Sequence, residues 1–221
     1  MKKLQTHLWT LALLFSCTWF AYGTDFKAGE KVSITEPVAG DLYLGAGEID
    51  IRASINGDLI ASGGEIFVED SVMQDILIAG GQLYLNGFVG DDIRAAGGRI
   101  KITNNVSGDL VIFGGEIDIK EDAVIEGDLV VFGGEVYIRG LIRGDIKSSG
   151  GKVHFQGTAE GVVELRAEEI EINGVIEGKS TLIAEEIHLG EQAKFHDQVA
   201  YWREEGEMDF GNSLLNKTAL F

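Results

Sequence analysis

The stretch GDLIASGGEIFV, residues 57–68, returns as GDLVIFGGEIDI at residues 108–119 and as GDLVVFGGEVYI at residues 127–138. Its opening pair recurs at every 17th position, except for one longer step of 19 between Gly108 and Gly127. The copies are Gly40-Asp41, Gly57-Asp58, Gln74-Asp75, Asp91-Asp92, Gly108-Asp109, Gly127-Asp128 and Gly144-Asp145, followed by worn copies at Gly161-Val162 and Gly178-Lys179. A period of this length is typical of a stacked repeat, whose units bury their apolar faces against their neighbours.

Apolar residues within each repeat are two positions apart, which is the period of a β-strand. Aligned across the repeats they form five inward columns, represented in one copy by Leu59, Ala61, Ile66, Val68 and Val72. Glycine pairs such as Gly63-Gly64 predict corners, where the chain needs a positive φ or no Cβ. Three short sides and three corners in each repeat predict an all-β solenoid, a right-handed three-sided parallel β-helix.

The repeat defines the expected domain limits. We count about ten windings over residues 24–197, with the two extra residues of the long winding placed at a corner near Glu121-Asp122. Residues 198–221 leave the period and carry enough apolar side chains to cover the open end of the solenoid. We therefore predict a β-helix followed by a C-terminal capping tail.

The N-terminal residues 1–23 are predicted to be a signal peptide. Two lysines precede an apolar core, and Ala21-Tyr22-Gly23 forms a small-x-small cleavage site before Thr24. We expect export to the periplasm or cell envelope. Two alternatives are lipidation of Cys17 and retention of the segment as an anchor, and membrane association is expected only in those cases.

Composition narrows the function classes. The chain has 36 acidic against 18 basic residues, a formal charge of −18, and a single cysteine, Cys17. Such a surface repels nucleic acid and anionic lipid. The glycine-rich turns serve corners rather than phosphates, and neither a catalytic arrangement nor a cofactor or metal site is indicated. We expect no enzyme activity, no cofactor and no nucleotide.

The repeated runs at residues 57–66 and 127–136 resemble the bactofilins, polymer-forming cytoskeletal proteins of bacteria. The resemblance covers roughly residues 30–195 and implies a right-handed β-helix that assembles end to end without a nucleotide. It also implies a scaffolding role in cell shape, envelope modification or partner positioning. Bactofilins are typically cytoplasmic, so the predicted signal peptide makes this chain similar to an exported branch of the family.

Several outward columns carry side chains that could serve either the structure or the binding of a ligand. The aspartate column from Asp41 to Asp145 predicts corner caps that accept backbone N–H bonds, with a calcium ladder as the alternative. Stacked charges such as Arg99 between Gln82 and Glu116 predict register control. A column of His154, Glu171 and His188 is expected to consist of solvated side chains, with zinc binding or a pH response as the alternative.

Aromatic residues mark the candidate partner-binding face. It consists of Phe67, Tyr84, Tyr137 and His154, and such a stripe predicts either cross-strand packing or contact with a glycan or envelope protein. Phe113 and Phe132 stack beside a glycine corner. The function expected from the sequence is a non-enzymatic scaffold that self-associates end to end. The alternatives are a carbohydrate-binding or carbohydrate-active β-helix and a monomeric envelope spacer.

The cleavage site gives a testable prediction. We expect the exported protein to begin at Thr24, and intact-mass spectrometry of protein recovered from the native host measures this directly. A lipid-modified chain beginning at Cys17 would contradict the prediction.

Overall fold

The computed structural model describes residues 24–215 and 219–221. The predicted signal peptide, residues 1–23, lies outside these residues. The described part contains strands and no helix, and hence no helix that could cross a membrane. The strands are β1 (Thr24–Ile34), β2 (Asp41–Ile51), β3 (Leu59–Val68), β4 (Ile76–Leu85), β5 (Ile93–Ile102), β6 (Leu110–Ile119), β7 (Val124–Ile125), β8 (Leu129–Ile138), β9 (Leu141–Ile142), β10 (Ile146–Phe155), β11 (Thr158–Ala159), β12 (Val163–Ile172), β13 (Val175–Ile176), β14 (Ser180–Ile183), β15 (Glu186–Leu189), β16 (Lys194–Phe195), β17 (Val199–Trp202) and β18 (Ala219–Leu220).

Every strand pair among the described residues is parallel, and each winding pairs with the next. The long strands form one ladder in the order β1-β2-β3-β4-β5-β6-β8-β10-β12-β14-β17-β18, with β15 also paired to β12. Leu59 faces Ile76, its equivalent in the next repeat, and Leu110 faces Leu129 across the longer step. A β-solenoid of about 11 turns results, which confirms the β-helix predicted from the period.

The five inward columns are buried as predicted. In the winding of β3, Leu59, Ile66, Val68 and Val72 have no exposed surface, and Ala61 is 4% exposed. Each long strand supplies two sides of the winding, one before and one after its glycine pair. The third side is formed by single parallel bridges near the N-terminus, such as Val72 with Val89, and by the short strands β7, β9, β11, β13 and β16 further on.

The glycine pairs act through their missing Cβ, not through a positive φ. Among the described glycines only Gly206 and Gly211 have a positive φ, so the second of the two predicted reasons for glycine at the pairs, the missing Cβ, is the one that holds. A Cβ on Gly63 would lie 2.6 Å from the carbonyl oxygen of Ala46 one winding earlier, and on Gly80 2.5 Å from that of Gly63. The stacked backbones therefore leave no room for side chains here. Several windings lack the glycine pair, with Ala46-Gly47, Ala167-Glu168 and Ala184-Glu185 in its place, so this constraint can be relieved locally.

The aspartate column forms a continuous ladder of hydrogen bonds between windings. Each carboxylate accepts a backbone N–H at 2.8–3.1 Å. The donor and acceptor pairs are Asp58 to Asp41, Asp75 to Asp58, Asp92 to Asp75, Asp109 to Asp92, Asp128 to Asp109, Asp145 to Asp128 and Val162 to Asp145. The capping role is confirmed, with the correction that each aspartate caps the following winding and not its own corner.

The same ladder explains the glycine before most of these aspartates. A Cβ on Gly108 would lie 2.3 Å from Asp92 Oδ1, and on Gly127 2.4 Å from Asp109 Oδ1. The carboxylate of one winding therefore occupies the space that a side chain would need in the next. This steric relation couples the two residues of the Gly-Asp motif.

The parallel ladder continues past residue 197, where the sequence analysis placed the end of the β-helix. Strand β17 pairs with β14 so that Val199 lies opposite Ser180, which repeats the longer step, and β18 pairs with β17. The longer step comes from a second two-residue insertion, at a turn that Ala193 N closes on Gly190 O. Ala123 N closes the first insertion on Lys120 O, as expected from the placement near Glu121-Asp122.

Aromatic packing covers part of the C-terminal end. Phe210 is 5% exposed and meets Phe195 and Tyr201 edge to face, with ring centroids 5.7 and 5.1 Å apart. The tail thus both extends the ladder and lies over the last core residues. Its role as a cap on assembly stays a prediction.

Replacing Ile117 with Asp tests the inward columns. Ile117 is fully buried between Ile100 and Val136 of the adjacent windings, so the variant would bury an unpaired carboxylate. We expect it to lower the free energy of unfolding by more than about 3 kcal/mol. Chemical denaturation followed by circular dichroism measures the change.

The neighbouring variant Glu116→Gln is the matched control. Glu116 points outward and accepts a hydrogen bond from Arg99 at 3.0 Å, an exposed ion pair worth less than about 1 kcal/mol. Wild-type stability of Ile117→Asp would show that the columns are misassigned.

Candidate functional site

All four residues of the predicted partner-binding face lie in one outward column on the second side of the solenoid. Strand register places the column as Asp50, Phe67, Tyr84, Lys101, Asp118, Tyr137, His154, Glu171 and His188. Lys101 and Asp118 separate Phe67 and Tyr84 from Tyr137 and His154. The structure therefore divides the predicted face into two pairs.

Each pair is a parallel stack. The rings of Phe67 and Tyr84 have centroids 4.8 Å apart, and those of Tyr137 and His154 4.6 Å apart. Interplanar angles of 4° and 9° show that adjacent rings cover each other. Each ring therefore packs one face on its neighbour in the adjacent winding, as cross-strand packing predicts, and contact with a partner stays a prediction.

The second stack is tied into a polar network. Tyr137 Oη donates to Glu135 Oε1 at 2.5 Å, and the Arg139 guanidinium lies 4.7 Å from the Tyr137 ring centroid. The hydrogen bond to Glu135, with burial and the charge of Glu135 adding to it, raises the pKa of Tyr137 to about 12. The side chain is thus fixed as a neutral donor.

His154 is packed, not solvated as the sequence suggested. Its side chain is 16% exposed, and Nδ1 lies 2.8 Å from Glu171 Oε2. His188 is 55% exposed and pairs with Glu186 at 3.2 Å. The two histidines therefore have different carboxylate partners, although both are next to Glu171 in the column.

The stacked charges form ion pairs between windings. Arg99 Nε donates to Glu116 at 3.0 Å, Arg143 to Glu126 at 3.1 Å, and Lys152 Nζ to Glu169. The hydrogen bond between Lys152 and Glu169 raises the pKa of Lys152 and lowers that of Glu169. Because these pairs are exposed, they contribute little to stability. Their position across strands supports the predicted role in register.

Among the described residues, Asp91 forms a cluster of carboxylates with Asp75 and Asp92 of the aspartate ladder. Asp75, Asp91 and Asp92 each place an oxygen within 4.8 Å of the others. Asp75 Oδ1 accepts Asp92 N–H, Asp92 Oδ1 accepts Asp109 N–H, and Asp92 also pairs with Arg94 at 2.9 Å. These contacts support the structural interpretation of the column over a calcium ladder.

A feature that the sequence analysis missed is an apolar groove on the first side of the solenoid. We call it the side groove. Its volume is about 440 Å³, and its lining comes from strands β1 to β6. The signal was present in the repeat, since the position after the inward Leu59 is outward but apolar in several copies. That column contains Phe26, Tyr43, Ile60, Leu77, Arg94 and Val111.

The two ends of the rod differ. Strand β1 is 11 residues long and pairs with β2 alone among the described residues, so one of its edges is free of them. The C-terminal end has β17 of four residues and β18 of two, overlaid by the segment that carries Phe210. An unpaired strand edge is a template for pairing with another chain.

Comparison with protein families matches residues 117–211 to the bactofilins, described as polymer-forming cytoskeletal. No curated protein and no solved structure matches the chain significantly. The matched range runs from β6 past β17, so it includes windings beyond residue 197. The resemblance seen in the repeated motifs is confirmed for this range.

The polar network gives a prediction in alkaline solution. Because the folded-state pKa of Tyr137 is about 12 against an ordinary value near 10, its hydrogen bond stabilises the fold fully below pH 10 and is lost as pH rises toward 12. The difference between the ultraviolet titration curves of the wild type and of Tyr137→Phe should show one phenol that ionises near pH 12. Glu135→Gln should move that ionisation toward pH 10. An ordinary pKa in the wild type would show that the hydrogen bond is absent.

Proposed function

We propose, from the bactofilin domain that residues 117–211 form, that this protein is a non-enzymatic scaffold that polymerises end to end. The observation that carries the proposal is the edge of β1 that no other described strand pairs with. Polymerisation by stacking needs a strand whose backbone groups are open to another chain, and β1 supplies the longest one among the described residues.

The edge of β1 is suited to pairing along much of its length. Residues 25–31 and Ser33 are exposed, while Val32 and Ile34 already lie in the inward columns. A second rod placed on this edge would continue the apolar columns of Val32 and Ile34, whereas Asp25 and Lys27 occupy the two inward positions before the corner. Nothing in the stacking step requires a nucleotide, because each contact repeats the one between windings.

The C-terminal end is the weaker contact. Its paired strands are short, and the overlying segment carries Glu204, Glu205, Glu207 and Asp209. A head-to-tail contact is heterologous and gives open filaments, so the weaker end limits filament length. We therefore propose short or weak polymers at low salt, strengthened when salt screens the charge of −18 on each rod.

We further propose that the scaffold works outside the cytoplasm, in the periplasm or cell envelope. The sequence of residues 1–23 supports this location. Its partners would then be further copies of itself and an envelope protein or glycan. The covered C-terminal end favours a second candidate, a monomeric envelope spacer. The stacking of Phe67 on Tyr84 occupies one face of each ring and gives less support to a carbohydrate-binding β-helix.

Ser33→Pro tests assembly through β1. Ile34 O accepts Arg52 N–H on the β2 side at 2.8 Å, so alternation along the strand points the N–H of Ser33 to the free edge. Proline removes that donor and blocks pairing, while an edge strand tolerates it. We expect the variant to remain monomeric at concentrations and salt at which the wild type assembles. Sedimentation velocity and negative-stain microscopy measure this.

Ser33→Ala is the control and should assemble as the wild type does, because it keeps the N–H. Both variants should retain the wild-type melting transition. Equal assembly of Ser33→Pro and wild type would exclude the β1 edge. A wild type that stays monomeric at high concentration and in added salt would favour the spacer.

A further inference from the structure

We propose that the side groove is a docking site for a cationic amphipathic helix of a partner protein. The proposal concerns the side of the rod, so it goes beyond end-to-end assembly and does not depend on it. Stacking at the ends leaves the side groove open on every copy in a filament.

The shape of the side groove comes from two neighbouring outward columns of the first side. One column carries bulky residues that are apolar except for Arg94, and the next carries Ser62, Ala79 and Ala96 before Phe113. The small residues form a trough beside the bulky ones, and Phe26 and Phe113 stand at its two ends. Six windings contribute, which gives a length of about 24 Å, or about 16 residues of α-helix.

The surface of the side groove is apolar and open to solvent. Phe26 is 75% exposed, Leu77 54% and Phe113 51%. Among the described residues that line it, Arg94 alone carries a charge, and Asp92 pairs with it at 2.9 Å. An exposed apolar trough on such an acidic protein is typical of an interaction surface, because burial of these side chains on a partner is favourable.

Charge on the rim identifies the kind of partner. The aspartate ladder runs along one margin of the trough, and a smaller hollow of about 170 Å³ joins the two. Asp58 and Asp75 line this hollow together with Ile60, Leu77 and Arg94. A lysine or arginine side chain fits it, since its aliphatic stem would lie on Ile60 and Leu77 and its charged head near the carboxylates.

These features favour a partner helix over the other apolar occupants. A second copy would bring another charge of −18 against the aspartate rim, and an anionic membrane would be repelled in the same way. A helix with one apolar stripe and a row of basic residues beside it complements both the trough and the rim. Helix-in-groove binding uses anchors of this spacing.

The test uses a synthetic helical peptide of about 16 residues with leucines on one face and lysines along one flank. Fluorescence anisotropy measures its binding to purified wild type and variants. Leu77→Ser and Phe113→Ser should each weaken binding about tenfold, since each removes an exposed apolar anchor. Asp75→Asn should weaken it about threefold, because it removes a rim charge but keeps the Oδ1 acceptor for Asp92 N–H.

Two matched variants and two matched peptides control for non-specific attraction to an acidic protein. Met73→Ser removes a side chain that is 46% exposed outside the side groove, and Asp145→Asn neutralises a ladder position beyond it. Both should bind as the wild type does. Peptides with glutamate on the flank, or with serine on the apolar face, should not bind.

Four results would overturn the proposal. One is equal binding to all variants, and another is equal binding of the glutamate peptide. A third is loss of self-association in Leu77→Ser without peptide, which would make a second copy the occupant. The fourth is Leu77-dependent binding to phosphatidylglycerol vesicles. Failure of polymerisation in Ser33→Pro leaves peptide binding unchanged, so the two proposals fail independently.

Discussion

The hydrogen bond that each aspartate carboxylate accepts from a backbone N–H of the next winding is the contact on which the regular part of this solenoid depends. It joins neighbouring windings at a corner that, from Asp58 onward, lies outside the long strands. A charged acceptor makes a stronger bond than a neutral one, and the geometry repeats from Asp41 to Asp145. The glycine before the aspartate leaves space for the carboxylate. The Gly-Asp motif thus determines both the shape of the corner and the stacking of one winding on the next.

The sequence was sufficient to predict the parts of the fold that repeat. The columns of Leu59 and Ile66 follow from a strand period of two within the longer repeat, and both are fully buried. The second insertion was not predicted, because the residues around Glu191-Gln192 no longer match the consensus of the repeat. The φ of the glycine pairs could not be deduced either, since a positive φ and a missing Cβ both require glycine.

Side-chain environments were harder to predict than columns. An alternating pattern shows that His154 points outward, but only the stacked Tyr137 and the nearby Glu171 show that it is packed. The side groove was missed for a related reason. Ile60 and Leu77 occupy outward positions, and the pattern does not show that small neighbours leave a trough beside them. Which columns contact one another depends on the twist and spacing of the strands, and the sequence pattern does not give these.

The two proposals give different binding roles to different surfaces of the rod. The ends would carry self-association through backbone pairing, and the side groove would carry a partner through apolar burial and charge. Electron cryo-microscopy of the assembled protein is the most direct test of the central claim. We expect filaments one solenoid wide, with strands spaced about 4.8 Å apart along the axis and continuous across subunit junctions at β1. Rods joined side by side, with β1 unpaired, would contradict it.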